Sequence, residues 1–325
     1  MSVVTQTVSA DEAGMRLDRW FRTRYPTLKH GQLQKLLRTG QVRVDGKRAK
    51  TDTRVDEGQA VRVPPLRIAE DGADRPPKLD GDAAALKDMT LFEDEAVLVL
   101  DKPYNLAVQG GSGLSRHLDG MLEALRDRQG RKPRLVHRLD RETSGVIVVA
   151  KTRRAASELA ESFRSRRTRK IYWALVRGVP KPAQGRISTH IARDEAAERM
   201  AIVGAGGDAQ HAVSNYAVLE NVGQRLAWLT LRPVTGRTHQ LRAHCAHIGH
   251  PIIGDSKYFD VENWELPGGI QNRLHLHARR LVMPHPDGKS TIDVTAPLPQ
   301  HMRQSWNLLG LRIDEAWEPD EDEAD

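Results

Sequence analysis

Residues 134–145 read Arg134-Leu-Val-His137-Arg138-Leu139-Asp140-Arg141-Glu142-Thr143-Ser144-Gly145, and an apolar run from Val146 to Ala150 follows before Lys151. The β-branched run predicts a buried strand, entered through the polar turn Thr143-Ser144-Gly145. Asp140 is thereby placed between two arginines at the mouth of that strand. Neighbouring guanidinium charges favour its ionised form, which suits a nucleophile or a base rather than a general acid. The same spacing also describes a salt bridge at a loop edge, and without further context that plainer reading is the commoner one.

A second dense stretch runs from Thr235-Gly236-Arg237-Thr238-His239-Gln240-Leu241-Arg242 through His244, Cys245 and His247 to Gly249-His250-Pro251-Ile-Ile-Gly254-Asp255. Arg237 to Ile248 can form a helix with Leu241, Cys245 and Ile248 on one side, stopped by Gly249. Histidines 239, 244, 247, 250, 275 and 277 with Cys245 and Asp255 invite a metal. No pair has the His-Glu-x-x-His arrangement, however, and one cysteine cannot build the common structural zinc sets. Hydrogen-bonding or RNA-contacting histidines, and no metal, are the expectation.

Around these stretches the chain falls into segments. Residues 15–63 carry 13 Lys and Arg against five acids. Met15, Leu17, Trp20, Phe21 and Tyr25 share one side of a helix that Pro26 would end, and Leu33, Leu36 and Leu37 suggest a second. Gly40-Gln-Val-Arg-Val-Asp45-Gly46 leads into an Asp-Gly hairpin turn, and alternation resumes around Gly58. Bases such as Arg16, Arg19, Lys29, Lys35 and Arg38 lie on the helical segments, where one face can follow phosphates. Residues 64–88 are rich in Pro, Gly and Asp and read as a linker. Leu91 to Leu100 reads as a strand ending at Lys102-Pro103, Gly110 to Gly113 as a glycine loop, and His117 to Leu125 as a helix. Ala155, Leu159 and Phe163 mark a helix whose basic exit, Arg164 to Lys170, leads to the strand Ile171 to Val176. Tyr172 on that strand is an ordinary packing aromatic by type, but it follows a patch suited to a phosphate backbone. Residues 184–235 read as a series of short strands.

Charge narrows the function classes. Fifty Lys and Arg face 43 Asp and Glu, but Asp314 to Asp325 holds eight of those acids and no base, so the rest of the chain carries 50 bases against 35 acids, a net +15. That excess favours a polyanionic partner, nucleic acid first, with the acidic tail as a solvated end. The single Cys245 excludes an intrachain disulfide and fits a reducing compartment. No apolar run of membrane-spanning length occurs, and Met1 to Gly14 has neither the basic residue nor the apolar core of a targeting segment, so a cytoplasmic protein without membrane association is expected.

Taken together, the motifs resemble the RluA-type family of RNA pseudouridine synthases over roughly residues 90–285. His137-Arg-Leu-Asp140-x-x-Thr143-Ser144-Gly145 carries one signature, and Gly236-Arg-Thr-His-Gln-Leu-Arg242-x-His244 with Gly249-x-Pro251 and Gly254-Asp255 the other. Ahead of them, residues 16–18, 40–46 and 58 resemble an S4 RNA-binding domain. The resemblance implies an α+β fold: a mainly antiparallel catalytic sheet flanked by helices at 89–312, behind an S4-like domain at 15–64. A 1–14 extension, a 65–88 linker and an acidic 313–325 tail complete the expected organisation. It implies Asp140 as catalytic aspartate, Tyr172 as active-site tyrosine and Arg242 as the arginine paired with Asp140. Arg138, His137, Lys102, Arg237 and His239, with Arg16, Lys35 and Arg38 of the first domain, are the implied RNA contacts, Arg138 filling the gap left by a flipped nucleotide or contacting its phosphate.

Lys102-Pro103 and Gly110 to Leu114 are most like the subgroup acting on large-subunit (23S-type) ribosomal RNA or the assembling subunit, as a monomer. Gln109 stands where that subgroup has His, and Tyr104-Asn105 where it has a small residue and Gly. The isomerisation is redox-neutral and implies no cofactor. Two rival classes remain: an RNA-binding factor without catalysis, which has no use for Asp140, Tyr172 and Arg242 together, and a sugar hydrolase, which needs a second carboxylate, with Asp255 the obvious candidate.

Overall fold

A computed structural model describes residues 3–25, 28, 30–66, 79–110, 116–127, 130–259 and 264–313. The chain divides into two units, Met1–Arg75 and Pro76–Asp325. The first holds β1 (Val4–Thr7), β2 (Met15–Arg16), α1 (Leu17–Arg24), α2 (His30–Arg38), β3 (Arg43–Val44), β4 (Lys47–Arg48), β5 (Arg54–Val55) and β6 (Ala60–Val63). Both helices form where apolar spacing places them, α1 burying Leu17, Trp20 and Phe21 and α2 burying Leu33 and Leu37. Pro26 lies outside the described residues. Asp45 and Gly46 both have positive φ, 47° and 75°, the backbone that an Asp-Gly hairpin between β3 and β4 requires.

The expected 1–14 extension is instead part of this unit. β1 pairs antiparallel with β6, and Val8 is fully buried. Glu12 accepts hydrogen bonds from Ser9 N, Trp20 Nε1 and the Arg24 guanidinium at 2.7–3.1 Å. Burial opposes the Glu12 charge, yet Arg24 and Ser9 hold its carboxyl down at about 2. The segment has too few apolar residues to signal a strand, and its order comes from backbone pairing and one buried carboxylate.

The second unit opens with α3 (Leu79–Asp88), β7 (Thr90–Glu93), β8 (Val97–Lys102), α4 (Leu118–Met121), β9 (Arg134–Leu135), β10 (Ser144–Ala150) and α5 (Arg153–Arg164). It continues through β11 (Arg169–Arg177), β12 (Gln184–Asp194), β13 (Arg199–Val203), β14 (Gln210–Val222), β15 (Leu226–Pro233), α6 (Gln240–His247), β16 (Leu276–Pro284), β17 (Thr291–Thr295) and α7 (Gln300–Leu309). These form an eleven-stranded sheet in the order β13-β12-β14-β15-β11-β16-β10-β8-β7, with β17 on β16 and β9 on β10. The architecture is mixed α+β, and among the strand pairs of the described residues only β10 with β16 runs parallel.

Both faces of the sheet's centre are covered, which is why 146–150 is continuously apolar rather than alternating. Ile147 and Val149 pack with Leu98, Leu100, Leu86 of α3 and Leu118 of α4, while Val146 and Val148 pack with Val97, Val99 and Leu159 of α5. Farther along, Trp173 and Trp228 meet Trp306 of α7 on one face, and Ala174 and Leu229 meet Leu241 and Cys245 of α6 on the other.

Three expectations change here. Residues 79–88, read as linker, form α3 around the buried Leu86; 67–78 lie outside the described residues, as do Gly111 to Gly113 of the glycine loop and 314–325 of the acidic tail. The strands of 184–235 are not uniformly short, since β12 and β14 have 11 and 13 residues; paired antiparallel from Gln184 to Ile191, they sustain one another where polar side chains hide the apolar alternation. The helix read from Arg237 begins only at Gln240.

Three of the six histidines that invited a metal are structural. Among the described residues no group of three or more His, Cys, Asp or Glu could hold one. His277 Nδ1 lies 2.9 Å from the Ser144 hydroxyl, His275 Nε2 lies 2.8 Å from that of Ser305, and His244 bridges Ser214 and Thr189. Burial keeps all three neutral, lowering His277 to about 3 and His275 and His244 to about 4.

Unfolded, each titrates near 6.5, so their contribution to stability is complete above that pH and is lost as pH falls below it. Urea unfolding followed by tryptophan fluorescence is expected to show stability dropping from pH 7.5 to pH 5, by about 2 kcal/mol for each histidine that stays neutral when folded. A midpoint unchanged across that range would contradict the buried neutral histidines.

Candidate active site

Asp140 sits in the turn that enters β10, and four contacts fix that turn. The Thr143 N–H donates to the Asp140 carbonyl at 3.1 Å, and Ser144 is held by His277. Gly145, at φ 107°, packs so closely on β16 that a Cβ would fall 2.2 Å from the Ala278 carbonyl oxygen. The fourth contact comes from Lys102, fully buried. Its ammonium donates to the carbonyls of Pro103, Leu106 and Arg141 at 3.0, 2.8 and 3.1 Å. Burial draws Lys102 down to about 7 against the charges of Asp140 and Asp101, but three acceptors call for all three N–H donors and favour the ammonium. The expected RNA contact at Lys102 is therefore not available to RNA; the residue pins the chain on either side of Asp140.

Above the turn opens a cavity of about 570 Å³ lined by Asp140, Tyr172, His137, Arg138, His239 and Arg242 among others. Its size suits a nucleoside. Tyr172 reaches it from β11 at a bulge in the pairing with β16. Burial and the Asp140 charge push the Tyr172 hydroxyl well above the ordinary phenol range, so it keeps its proton. His137 accepts the Val148 N–H at 2.8 Å through Nε2 and stacks on Phe163; burial and Lys170 hold it neutral near 3. Only its Nδ1–H remains for a substrate. Arg138 and Arg237 are exposed at the wall, Arg237 also donating to the His211 carbonyl at 3.3 Å. Arg164, Arg166 and Lys170 add cationic lining.

The expected pairing of Arg242 with Asp140 is not the one formed. Arg242 Nε and Nη2 donate to Asp255 at 2.8 and 2.6 Å, with Glu142 3.6 Å away. The Asp255 carboxylate also accepts the N–H groups of Lys257 and Tyr258. Although burial opposes it, Asp255 holds Arg242 firmly charged, and Asp140 and Glu142 add to the same field. Arg242 thus acts on Asp140 through space. Asp255, saturated by four N–H donors, is not free to activate a water, which removes the second carboxylate that a hydrolase would need.

Two contributors carried no sequence signal of their own. Gln240 organises the loop ahead of α6: its Oε1 accepts from the Thr235 hydroxyl and Arg237 N, and its Nε2 donates to Val213 O and Ser214 Oγ. That side chain replaces the helical turn expected at 237–239 and leaves His239 left-handed at φ 51°. Tyr258 supports His239 from below through its hydroxyl. Three residues after Asp255, it was indistinguishable from a core aromatic in the sequence. His239 Nε2 lies 3.9 Å from Asp140 Oδ2.

With this geometry in view, similarity to known proteins is informative. Residues 96–247 match the family described as RNA pseudouridylate synthase. The chain is 38% identical over 315 residues to the ribosomal large subunit pseudouridine synthase C of Escherichia coli strain K12, covering 95% of this chain and 97% of that one. It is 39% identical to the protein of the same name from Yersinia pestis, covering 94% and 95%. Among solved structures, human RNA pseudouridylate synthase domain containing 4 is 31% identical with a TM-score of 0.61, covering 72% of this chain and 98% of that one. The chain belongs to the RNA pseudouridylate synthase family, whose members isomerise uridine to pseudouridine in RNA.

Proposed function

We propose that this enzyme converts chosen uridines of large-subunit ribosomal RNA to pseudouridine, with Asp140 as its catalytic carboxylate and no cofactor. The observation that carries the reading is Asp140 itself, a partly exposed carboxylate on the wall of a nucleoside-sized cavity, with Tyr172 and a buried, charged Arg242 beside it. The relatives that match along nearly the whole chain are named for the large ribosomal subunit, which supports the ribosomal target.

Isomerisation breaks the C1′–N1 bond, turns the base in the cavity, joins C1′ to C5 and moves the C5 proton to N1. The substrate supplies every atom and no electrons are gained or lost. A carboxylate near the sugar serves as nucleophile at C1′ or as base at the sugar. Negative charge that develops on the departing base is met by Arg242, fixed in advance by Asp255. Tyr172, protonated, stacks on the base or donates a hydrogen bond rather than taking a proton. The scissile bond is hidden in a stacked helix, so the nucleotide must leave it, and Arg138 at the cavity wall fills the gap or holds a phosphate.

The first unit adds affinity. Its basic groove is lined by Arg16, Lys35, Arg38, Arg48 and Lys50, and its helix pair and Asp-Gly hairpin are consistent with an S4-like RNA-binding module. Arg16 is paired with Asp18 at 2.9 Å, leaving Lys35 and Arg38 as the stronger phosphate contacts of the three expected. A reducing cytoplasm suits Cys245, which is fully buried and whose thiol burial pushes up to about 12.

Asp140→Asn is expected to melt like the parent and bind RNA, yet to release tritium from C5-labelled RNA at least about 10³-fold more slowly, the scale of losing a group central to catalysis. Product formation within tenfold of the parent would defeat the assignment of Asp140, whereas a parent protein that binds RNA and forms no product would favour a role for this chain as an RNA-binding factor. The double variant Lys35→Ala/Arg38→Ala is expected to lower the slope of log K against log salt by roughly 1.5–2 for two lost phosphate contacts, while saturated turnover holds. Equal slopes in filter binding would remove the RNA role from this groove.

A further inference from the structure

His239 stands out because its hydrogen bonding leaves one ring nitrogen without a proton, next to Asp140. Its Nδ1 lies 3.2 Å from the Tyr258 hydroxyl. That hydroxyl already accepts the Met200 N–H at 2.8 Å and donates its single proton to the Met200 carbonyl at 3.0 Å. A phenol has one proton to give, so the third contact is made by His239 donating Nδ1–H to the phenol oxygen. The neutral ring then carries its lone pair on Nε2. Burial lowers the ring's pKa, Arg242 and Lys257 act in the same direction, and together they outweigh Asp140 and Asp255.

Nε2 lines the cavity 3.9 Å from Asp140 Oδ2. Two acceptors are thus set side by side, too far apart for a mutual hydrogen bond and with no proton between them. Such a pair is complementary to a substrate that brings a proton. Uridine isomerisation has one to lose: once C1′ has joined C5, that carbon still holds its hydrogen. Tyr172 keeps its own proton and is a poor base, and Asp140 is engaged at the sugar in the function proposed above, on which this inference rests.

We propose that His239 Nε2 is the base that removes the C5 proton. As the proton moves to Nε2, the C5–H electron pair forms the C5=C6 double bond and the C6=N1 pair returns to N1. N1 then takes a proton from the imidazolium, which restores the neutral ring, so the net change is one proton moved from C5 to N1. The acidic C5–H of that intermediate needs only a weak base, which matches a histidine tuned to stay neutral. The left-handed backbone set by Gln240 and the Tyr258 tether fix the nitrogen's place.

Single-turnover rates with target uridines carrying hydrogen or deuterium at C5 test the assignment. His239→Gln is expected to form product on the order of 10²-fold more slowly, with a hydrogen-to-deuterium rate ratio several-fold above the parent's, because loss of the C5 proton becomes the slow step. A purely structural role slows both substrates alike, and a ratio equal to the parent's overturns the proposal. Where His239→Gln does not melt cooperatively, His239→Ala replaces it: a rate rising with added imidazole supports the assignment, and a rate indifferent to imidazole opposes it. The parent protein offers a reading without substitution, since nitrogen-15 spectra of labelled histidine are expected to find the His239 proton on Nδ1, and a proton on Nε2 instead would overturn the geometry. Absence of product from the unaltered protein would be a failure of the proposed function, distinct from any of these.

Discussion

The close approach of β10 to β16 at Gly145 is the constraint on which the rest of the second unit depends. Gly145 is paired with Ala278 on one side and Lys102 on the other, so one residue joins three strands of the sheet. The missing side chain allows the parallel contact. A Cβ there would collide with backbone, and that cannot be relieved by turning a side chain. The same contact sets the depth of the turn carrying Asp140, five residues earlier. Lys102 then ties that turn to the Pro103–Leu106 segment, and His277, one residue before Ala278, takes the Ser144 hydroxyl. A second close approach repeats the device at the other motif: Gly254, at φ 72°, allows the chain to pass Arg273 where a Cβ would lie 2.0 Å from a carbonyl oxygen. Asp255, which holds Arg242, follows immediately. Both sides of the site thus rest on a glycine where two backbones meet.

This explains which parts were legible in the sequence. Strands buried on both faces, such as β10, announce themselves as unbroken β-branched runs, and helices that bury one side announce themselves by spacing. Elements held by backbone pairing or by a single side chain do not. β1 is ordered by pairing with β6, α3 contributes Leu86 to a core made mostly by other elements, and the length of β14 comes from its partners β12 and β15. Within the site, residue type and position pointed to Asp140 and Tyr172, the family resemblance added Arg138, His239 and Arg242, and all five line one cavity. The partner of each was not legible. Lys102 carries a charge that suggests RNA, yet its position on the inner face of β8 buries it among carbonyls. Gln240 and Tyr258 act only through what the fold brings to them.

The role proposed for Asp140 accounts for the arginine's being bound to Asp255 instead. A bidentate pair with Arg242 would occupy the oxygens of Asp140, and an attacking or proton-accepting oxygen has to be free of donors to react. An unsupported carboxylate in a site of limited solvent, on the other hand, loses the stabilisation of its charge. Placing the guanidinium on a second, fully buried aspartate resolves the conflict: Asp255 pairs it and satisfies its geometry, while its positive charge still reaches Asp140 through a medium that screens poorly. The arrangement also accounts for the cost of burying Arg242, since a buried cation without a hydrogen-bonded partner is strongly unfavourable. His239 follows the same logic, standing 3.9 Å from Asp140 with its Nδ1 held by the Tyr258 hydroxyl. Each donor beside the Asp140 carboxylate is thus assigned a partner elsewhere, Arg242 on Asp255 and His239 on Tyr258.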